Sequence, residues 1–144
     1  MEKSLRTEII IHAAAARVYS ILTDFEGHAT WNPFIVKSSG QAVVGATLKH
    51  TLMLNGKAMH IQPTVMVAEP SKRFEWRGVL ISRFIFSGQH YFYIEPMGEA
   101  QVRLIHGEYF SGLLAGIIVK QIGQATRMQF EAMNQALKQK AEQQ

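Results

Sequence analysis

The chain has 144 residues, which is enough for one ordinary domain with a single core. Hydrophobic residues make up 47% and charged residues 18%, a balance typical of folded globular proteins and not of disordered chains. The formal net charge is +4, but the lysines and arginines are scattered, so no basic nucleic-acid surface is indicated. We expect residues 1–144 to form a single domain.

The sequence lacks the residues and motifs that several classes of protein require. The chain has no cysteine, which excludes disulfides, thiol catalysis and thiolate metal ligands. The N-terminal apolar patch is interrupted by Glu8, His12 and Arg17, and no apolar stretch approaches the ~18 residues that span a bilayer. The six histidines lack the spacing of a known metal site, and no P-loop, GxSxG or GxGxxG motif occurs. We expect a soluble, cytoplasmic protein that has no integral membrane segment, no nucleic-acid partner and no metal or cofactor.

The first two elements are a strand and a helix. Residues 4–13 are rich in β-branched side chains, which favours a strand. The following segment, AAAARVYSILTDF, has the apolar period of a helix. A second short helix or turn ends near Asn32, because Pro33 has no amide hydrogen and biases the preceding residue away from helical backbone angles.

The middle of the chain predicts a block of strands joined by tight turns. Asn55 and Gly56 give the clearest hairpin signal. With the first strand, the six alternating segments make a seven-stranded antiparallel sheet. These segments are FIVKSSG, TLKHTLML, AMHIQPTVMVAEP, RFEWRGVL, RFIFSGQHYFYIEP and AQVRLIHGEYF.

The last segment, from Leu113 to about Gln139, predicts one long amphipathic helix. Its apolar face contains Leu114, Ile117, Ile118, Ile122, Ala125, Ala132 and Ala136, flanked by Phe130, Met133 and Leu137. Because the strands come together in one block, the fold class is α+β.

The order of these segments resembles the START-like, helix-grip superfamily, often labelled polyketide cyclase/dehydrase and lipid transport. The similarity covers essentially the whole chain and rests on IIIHAAAARVYSILTDFEGHATWNPF, FEWRG, GQHYFYIEP and GEYFSGLL. Ala14 and Tyr19 stand where members often have Pro and Trp. The resemblance implies a curved antiparallel sheet wrapped around the C-terminal helix, with two short helices after strand one. It also implies a cavity between sheet and helix for an apolar or amphipathic small molecule.

Strand parity predicts which side chains face that cavity, since neighbouring residues of a strand point to opposite faces. Gly116 of the last helix leaves room for either the sheet or a ligand. The candidate cavity residues are Trp76, His90, Phe92, Leu104, His106, Glu108 and Phe110 from the strands, and Gly116 and Ile117 from the helix.

The ionisable residues on this inner face are His90, His106 and Glu108. A buried carboxylate costs several kcal/mol unless it is paired or neutralised, so Glu108 needs a partner, and an imidazole of the next strand is one choice. These three residues either orient a ligand or only satisfy one another inside the sheet.

Three functions are compatible with this sequence. The leading hypothesis is binding of a hydrophobic or amphipathic small molecule, such as a lipid or a polyketide-like or isoprenoid-like compound. The first alternative is a cyclase or dehydratase in which the cavity histidines and glutamate act as acid and base, with no catalytic residue assigned. The second alternative is a module that binds a partner protein or a membrane through its surface.

Overall fold

The computed structural model of the chain describes residues 3–80 and 82–143. Their elements follow the predicted order of strand, short helices, strands and long helix. The strands are β1 (Lys3–Ile11), β2 (Ile35–Ser39), β3 (Lys49–Leu54), β4 (Lys57–Ile61), β5 (Thr64–Glu69), β6 (Arg73–Leu80), β7 (Phe86–Pro96) and β8 (Val102–Ser111). The α-helices are α1 (Ala15–Thr23) and α2 (Ala115–Glu142), and a 3-10 helix occupies Glu26–Thr30.

The strands form two antiparallel sheets. The larger sheet has the order β1-β8-β7-β6-β5, and the smaller one has the order β2-β3-β4. An isolated bridge joins Thr47, just before β3, to Thr64 of β5 and so connects the two sheets. Helix α2 packs against β1 and β8, and also contacts β3 of the smaller sheet. The curved sheet therefore grips the long helix, as the sequence predicts.

The prediction of seven strands is wrong by one strand. The segment AMHIQPTVMVAEP contributes to both β4 and β5, and strand structure is interrupted between them at Gln62 and Pro63. Proline has no amide hydrogen to donate to a neighbouring strand, so it interrupts the ladder. The Pro63 carbonyl instead accepts a hydrogen bond from the Leu48 amide at 2.8 Å. This break separates the small sheet from the large one.

The buried face of α2 also differs from the predicted one. Leu114 and Ile117 were expected on the inner face, but 39% and 60% of their surfaces are exposed. The buried stripe runs through Gly123, Thr126, Phe130, Met133, Asn134, Leu137 and Ala141. Its steps of three and four residues are those of one helix face. Two polar residues, Thr126 and Asn134, therefore lie on the face that meets the sheet.

The segment around Trp31 holds the turn before β2 in place. The side-chain oxygen of Asn32 accepts hydrogen bonds from the amides of Phe34 and Ile35 at 2.8 and 3.0 Å. Its amide nitrogen lies 2.9 Å from Nδ1 of His28, whose ring packs against Trp31 with 4.9 Å between centroids. These contacts fix the turn that leads into β2.

Gly107 of β8 is a point of close approach between three strands. A Cβ atom there would overlap the Leu5 carbonyl of β1 and the phenol ring of Tyr91 of β7. We expect Gly107→Ala to lower the free energy of unfolding by about 1–3 kcal/mol, because backbone and ring must shift to admit the methyl group. Urea unfolding measures this loss. Gly78→Ala in β6 is the matched control, since its Cβ would meet no atom closer than 3.8 Å. Equal unfolding midpoints for the two variants would contradict this packing.

Candidate functional site

His90 lies in the middle of β7, completely buried in a shell of aromatic rings. Its imidazole stacks on Trp76 of β6, with 4.4 Å between centroids and 13° between planes. Phe130 of α2 approaches to 4.8 Å and Phe92 to 5.1 Å, while Phe34 stacks at 6.1 Å. This apolar shell makes the charged form of the imidazole expensive, and burial lowers the pKa of His90 to about 3.

A chain of hydrogen bonds connects His90 to the helix and to the first strand. Nε2 of His90 lies 2.6 Å from Nε2 of His106, and Nδ1 of His106 lies 2.7 Å from Oδ1 of Asn134. The Asn134 amide donates to Oγ1 of Thr7 at 2.9 Å, and the Thr7 hydroxyl donates to the His106 carbonyl at 2.7 Å. Burial also lowers the pKa of His106 well below its usual range. The chain thus joins β7, β8, α2 and β1 without a charged group.

Glu108 of β8 stands opposite His90 in the strand register. Its Oε1 lies 3.6 Å from Nδ1 of His90, and 14% of its side chain is exposed. Burial raises the pKa of this carboxyl to about 8, and among the described residues no lysine or arginine forms an ion pair with it. At neutral pH the carboxyl is therefore mostly protonated.

Gly88 makes room for this carboxyl. It precedes His90 by two residues on the same face of β7, and a Cβ atom at Gly88 would overlap Oε2 of Glu108. The Glu108 side chain therefore lies across the glycine.

The carboxyl borders a cavity of about 160 Å³ between the large sheet, the β3–β4 hairpin and α2. Aliphatic and aromatic side chains form most of its wall. The lining residues are Phe34, Leu52, Leu54, Met59, Ile61, Trp76, Gly78, Val79, Phe86, Gly88, Glu108, Phe110, Ile122 and Thr126. Two larger grooves, of about 510 and 440 Å³, contain more polar residues such as Arg77, Gln89, Lys37 and Lys49. Of these three, the cavity of 160 Å³ lies between sheet and helix.

The nine sequence-predicted residues fall into three groups. Trp76, Glu108 and Phe110 line the cavity. His90, Phe92, Leu104 and His106 are buried and do not line the cavity. Gly116 and Ile117 are exposed near the start of α2, outside the cavity.

Sequence reasoning missed three polar residues that belong to this region. Thr7 and Asn134 complete the hydrogen-bond chain, and Thr126 lines the cavity. The available signal was on α2, where Thr126 and Asn134 share a buried stripe with Phe130 and Leu137. Polar residues on such a stripe are hydrogen-bonded to the protein or face a cavity.

The described residues contain no group of three or more His, Asp and Glu side chains arranged to hold a metal ion. No described helix carries an apolar stretch long enough to cross a bilayer. Two more histidines are buried. Nε2 of His28 lies 2.8 Å from the Leu22 carbonyl, and Nδ1 of His50 lies 2.8 Å from the Ser38 hydroxyl, while Nε2 of His50 has no partner among the described residues.

The burial of Glu108 predicts a specific pH dependence of stability. The folded state keeps the Glu108 proton up to about pH 8, whereas the unfolded chain releases it near 4.5, so stability falls as pH rises through this window. We expect Glu108→Gln to gain about 2–4 kcal/mol in free energy of unfolding, relative to the parent, between pH 5 and 8. Urea unfolding at a series of pH values measures the gain.

The control for this measurement is Glu99→Gln, the same substitution at an exposed residue of a turn. A difference between Glu108→Gln and the parent that does not change with pH would show that the carboxyl is ionised in the folded protein. We expect both the parent and Glu108→Gln to lose stability as the pH falls below 6.5. His90 and His106 are protonated there in the unfolded chain but stay neutral in the folded protein.

Comparisons with known proteins agree with this architecture. The sequence model of the family described as polyketide cyclase / dehydrase and lipid transport matches residues 2–142. No curated protein matches the chain by sequence.

Three solved structures illustrate the likeness in fold. The Zhui aromatase/cyclase from Streptomyces sp. R1128 has a TM-score of 0.81 at 13% identity, over 99% of this chain and 94% of that one. The ginseng major latex-like protein 151 from Panax ginseng has a TM-score of 0.80 at 9% identity, over 99% of both chains. A START superfamily protein from Mycobacterium smegmatis has a TM-score of 0.74 at 19% identity, over 96% of this chain and 97% of that one.

The family match extends over nearly the whole chain, and the solved structures share its fold. This protein therefore belongs to the polyketide cyclase/dehydrase and lipid-transport family, with the START-like helix-grip fold.

Proposed function

We propose that the protein binds a hydrophobic or amphipathic small molecule, whose apolar part enters the cavity between sheet and helix. The observation that supports this most is the cavity itself, an apolar space with one carboxyl group on its wall. Small-molecule sites commonly combine an apolar wall with a few polar groups that orient the ligand.

The cavity volume limits what can enter. An engineered protein cavity of about 150 Å³ holds a benzene molecule, so 160 Å³ accommodates a single ring or the end of a short chain. A larger lipid, polyketide-like or isoprenoid-like ligand would extend outward past Met59 and Val79, which line the cavity and are 46% and 54% exposed. The cavity would then select the terminal group of the ligand.

An enzymatic function is a second candidate because of Glu108. A carboxyl group with a pKa of about 8 can donate a proton near neutral pH, as general acids of cyclases and dehydratases must. His90 and His106 are poor bases by comparison, since both are completely buried and hold low pKa values. Any such reaction would depend on Glu108 as the group that meets the substrate.

A surface function has its own supporting observation. Phe84, Leu113 and Ile117 are 72%, 81% and 60% exposed, and the Leu113 amide donates to the Phe84 carbonyl at 3.0 Å. Arg83 and Lys120 flank these residues, and segments 82–87 and 111–121 contain no acidic residue. Exposed apolar side chains with basic neighbours suit an anionic membrane surface.

The binding function predicts that filling the cavity weakens binding. We expect Gly78→Leu, which places a side chain beside Trp76 and Ile61, to weaken binding of toluene at least about 10-fold, because the space is lost. Isothermal titration calorimetry measures the affinity, and native mass spectrometry of the freshly purified parent tests for a retained ligand.

Gly116→Leu is the matched control for this experiment. It makes the same substitution on the exposed start of α2, outside the cavity, and should leave toluene binding unchanged. If Gly78→Leu binds toluene as tightly as the parent, the ligand occupies a different place and the proposed site is wrong.

The surface function predicts a separate result. We expect the double variant Phe84→Ser and Leu113→Ser to lose at least about half of any binding to vesicles with an anionic lipid, because its apolar contact is removed. Sedimentation with vesicles measures the bound fraction. The control is Val43→Ser with Val44→Ser, which changes two residues that are 56% and 63% exposed in a different loop. Equal losses in both double variants would contradict a specific docking surface.

A further inference from the structure

We propose that the ligand carries an uncharged hydroxyl group, phenol or alcohol, which donates its hydrogen to Oε2 of Glu108. This inference rests on the proposed binding function and adds the chemical class of the ligand. It follows from the direction of the buried hydrogen-bond chain, which can be traced from a fixed end.

The fixed end of the chain is the backbone carbonyl of His106, which can only accept. Thr7 lies 2.7 Å from this carbonyl and therefore gives its single hydroxyl hydrogen to it. The Thr7 oxygen must then accept from Asn134, whose amide nitrogen is 2.9 Å away. This orients the Asn134 side chain, so that its oxygen faces Nδ1 of His106 at 2.7 Å.

The orientation of Asn134 fixes the tautomers of both histidines. Because Asn134 presents an acceptor, Nδ1 of His106 carries the hydrogen, and Nε2 of the neutral ring is an acceptor. The contact of 2.6 Å between the two Nε2 atoms then requires His90 to carry its hydrogen on Nε2. Nδ1 of neutral His90 is consequently an acceptor, and it has no hydrogen-bond partner among the described residues.

The Glu108 carboxyl can supply this missing hydrogen. Its Oε1 lies 3.6 Å from Nδ1 of His90, and a movement of about 0.5–1 Å closes the hydrogen bond. The carboxyl is mostly protonated at neutral pH because burial raises its pKa to about 8. His90 is the titratable group that faces it in the strand register, and the cavity residues of α2, Ile122 and Thr126, carry no charge.

Once the hydrogen of Glu108 is directed to His90, its other oxygen is an acceptor. Oε2 lies over Gly88, and both residues line the cavity. Thr126 lines the same cavity, and its buried hydroxyl has no partner among the described residues. A ligand hydroxyl can donate to Oε2 and accept from Thr126, which satisfies both groups.

Other polar groups fit this pair less well. A carbonyl offers no hydrogen to Oε2 of Glu108 and can only accept from Thr126. A carboxylate would bring a buried charge to a cavity whose lining contains no cation. An ammonium ion would need an ionised Glu108, which burial disfavours. The hydroxyl is the one of these groups that leaves the hydrogen-bond chain and the neutral carboxyl unchanged.

Phenol and toluene test this inference, because they differ only in a hydroxyl or methyl group on a ring that the cavity can hold. Isothermal titration calorimetry at pH 7 gives the ratio of the phenol and toluene dissociation constants. We expect Glu108→Leu to raise this ratio about 10-fold or more, since the hydroxyl loses its acceptor. Thr126→Val should raise it about 3-fold. Benzaldehyde and benzylamine serve as probes for a carbonyl and an ammonium group.

Two further variants separate the hydrogen bond from general damage. Glu108→Gln should restore the ratio to within about 3-fold of the parent, because an amide can donate to His90 and still accept from the ligand. Gly88→Ala should raise the ratio as Glu108→Leu does, because its Cβ displaces Oε2 while the carboxyl stays in the protein. It keeps the test available if Glu108→Leu fails to fold, as judged by circular dichroism.

The outcomes separate a failure of the hydroxyl assignment from a failure of the proposed binding function. If toluene binds but the ratio is unchanged in Glu108→Leu and in Gly88→Ala, the hydroxyl assignment is overturned and the binding function stands. If Glu108→Leu weakens the binding of benzaldehyde or benzylamine more than that of phenol, the hydroxyl assignment is also overturned. Glu108 would then donate a hydrogen to a carbonyl or ionise beside an ammonium group. If none of the four probes binds to the parent protein, the proposed function itself fails.

Discussion

The site depends on a pair of imidazoles that are completely buried and uncharged, His90 and His106. Two neutral rings 2.6 Å apart must share one hydrogen in a defined direction, because two donors or two acceptors would repel. Asn134 and Thr7 set that direction, and they come from the helix and the first strand. The same hydrogen-bond chain therefore ties the C-terminal helix to the sheet and leaves Nδ1 of His90, which faces Glu108, as an acceptor.

The surrounding aromatic rings keep the imidazoles of the hydrogen-bond chain uncharged. Trp76, Phe92 and Phe130 exclude water from His90, so the imidazole stays neutral and retains one acceptor atom without a partner. Glu108 faces that atom from the neighbouring strand and reaches the cavity on its other side. Burial thus turns a residue that is usually an exposed anion into a neutral group on the wall of an apolar cavity.

The family and the fold indicate a ligand-binding domain but do not identify the ligand or a reaction. The solved structures of similar fold include an aromatase/cyclase and a major latex-like protein, at 9–13% identity to this chain. At such identities the shared feature is the fold, and a shared fold does not imply a shared function. The ligand is chosen by the side chains that line this space, and here they provide one ring-sized apolar volume, one carboxyl and one threonine hydroxyl.

The sequence by itself determined the order of elements, the α+β class and the facing of His90 and Glu108, because strand alternation and helical period are local properties. It did not determine the break at Pro63 that makes two sheets, the exposure of Ile117, or the cavity lining. Nor did it bring Thr7 and Asn134, 127 residues apart, into one hydrogen-bond chain. Only the tertiary structure decided these, because they depend on how the helix lies on the sheet, and that position is set by packing between residues distant in sequence.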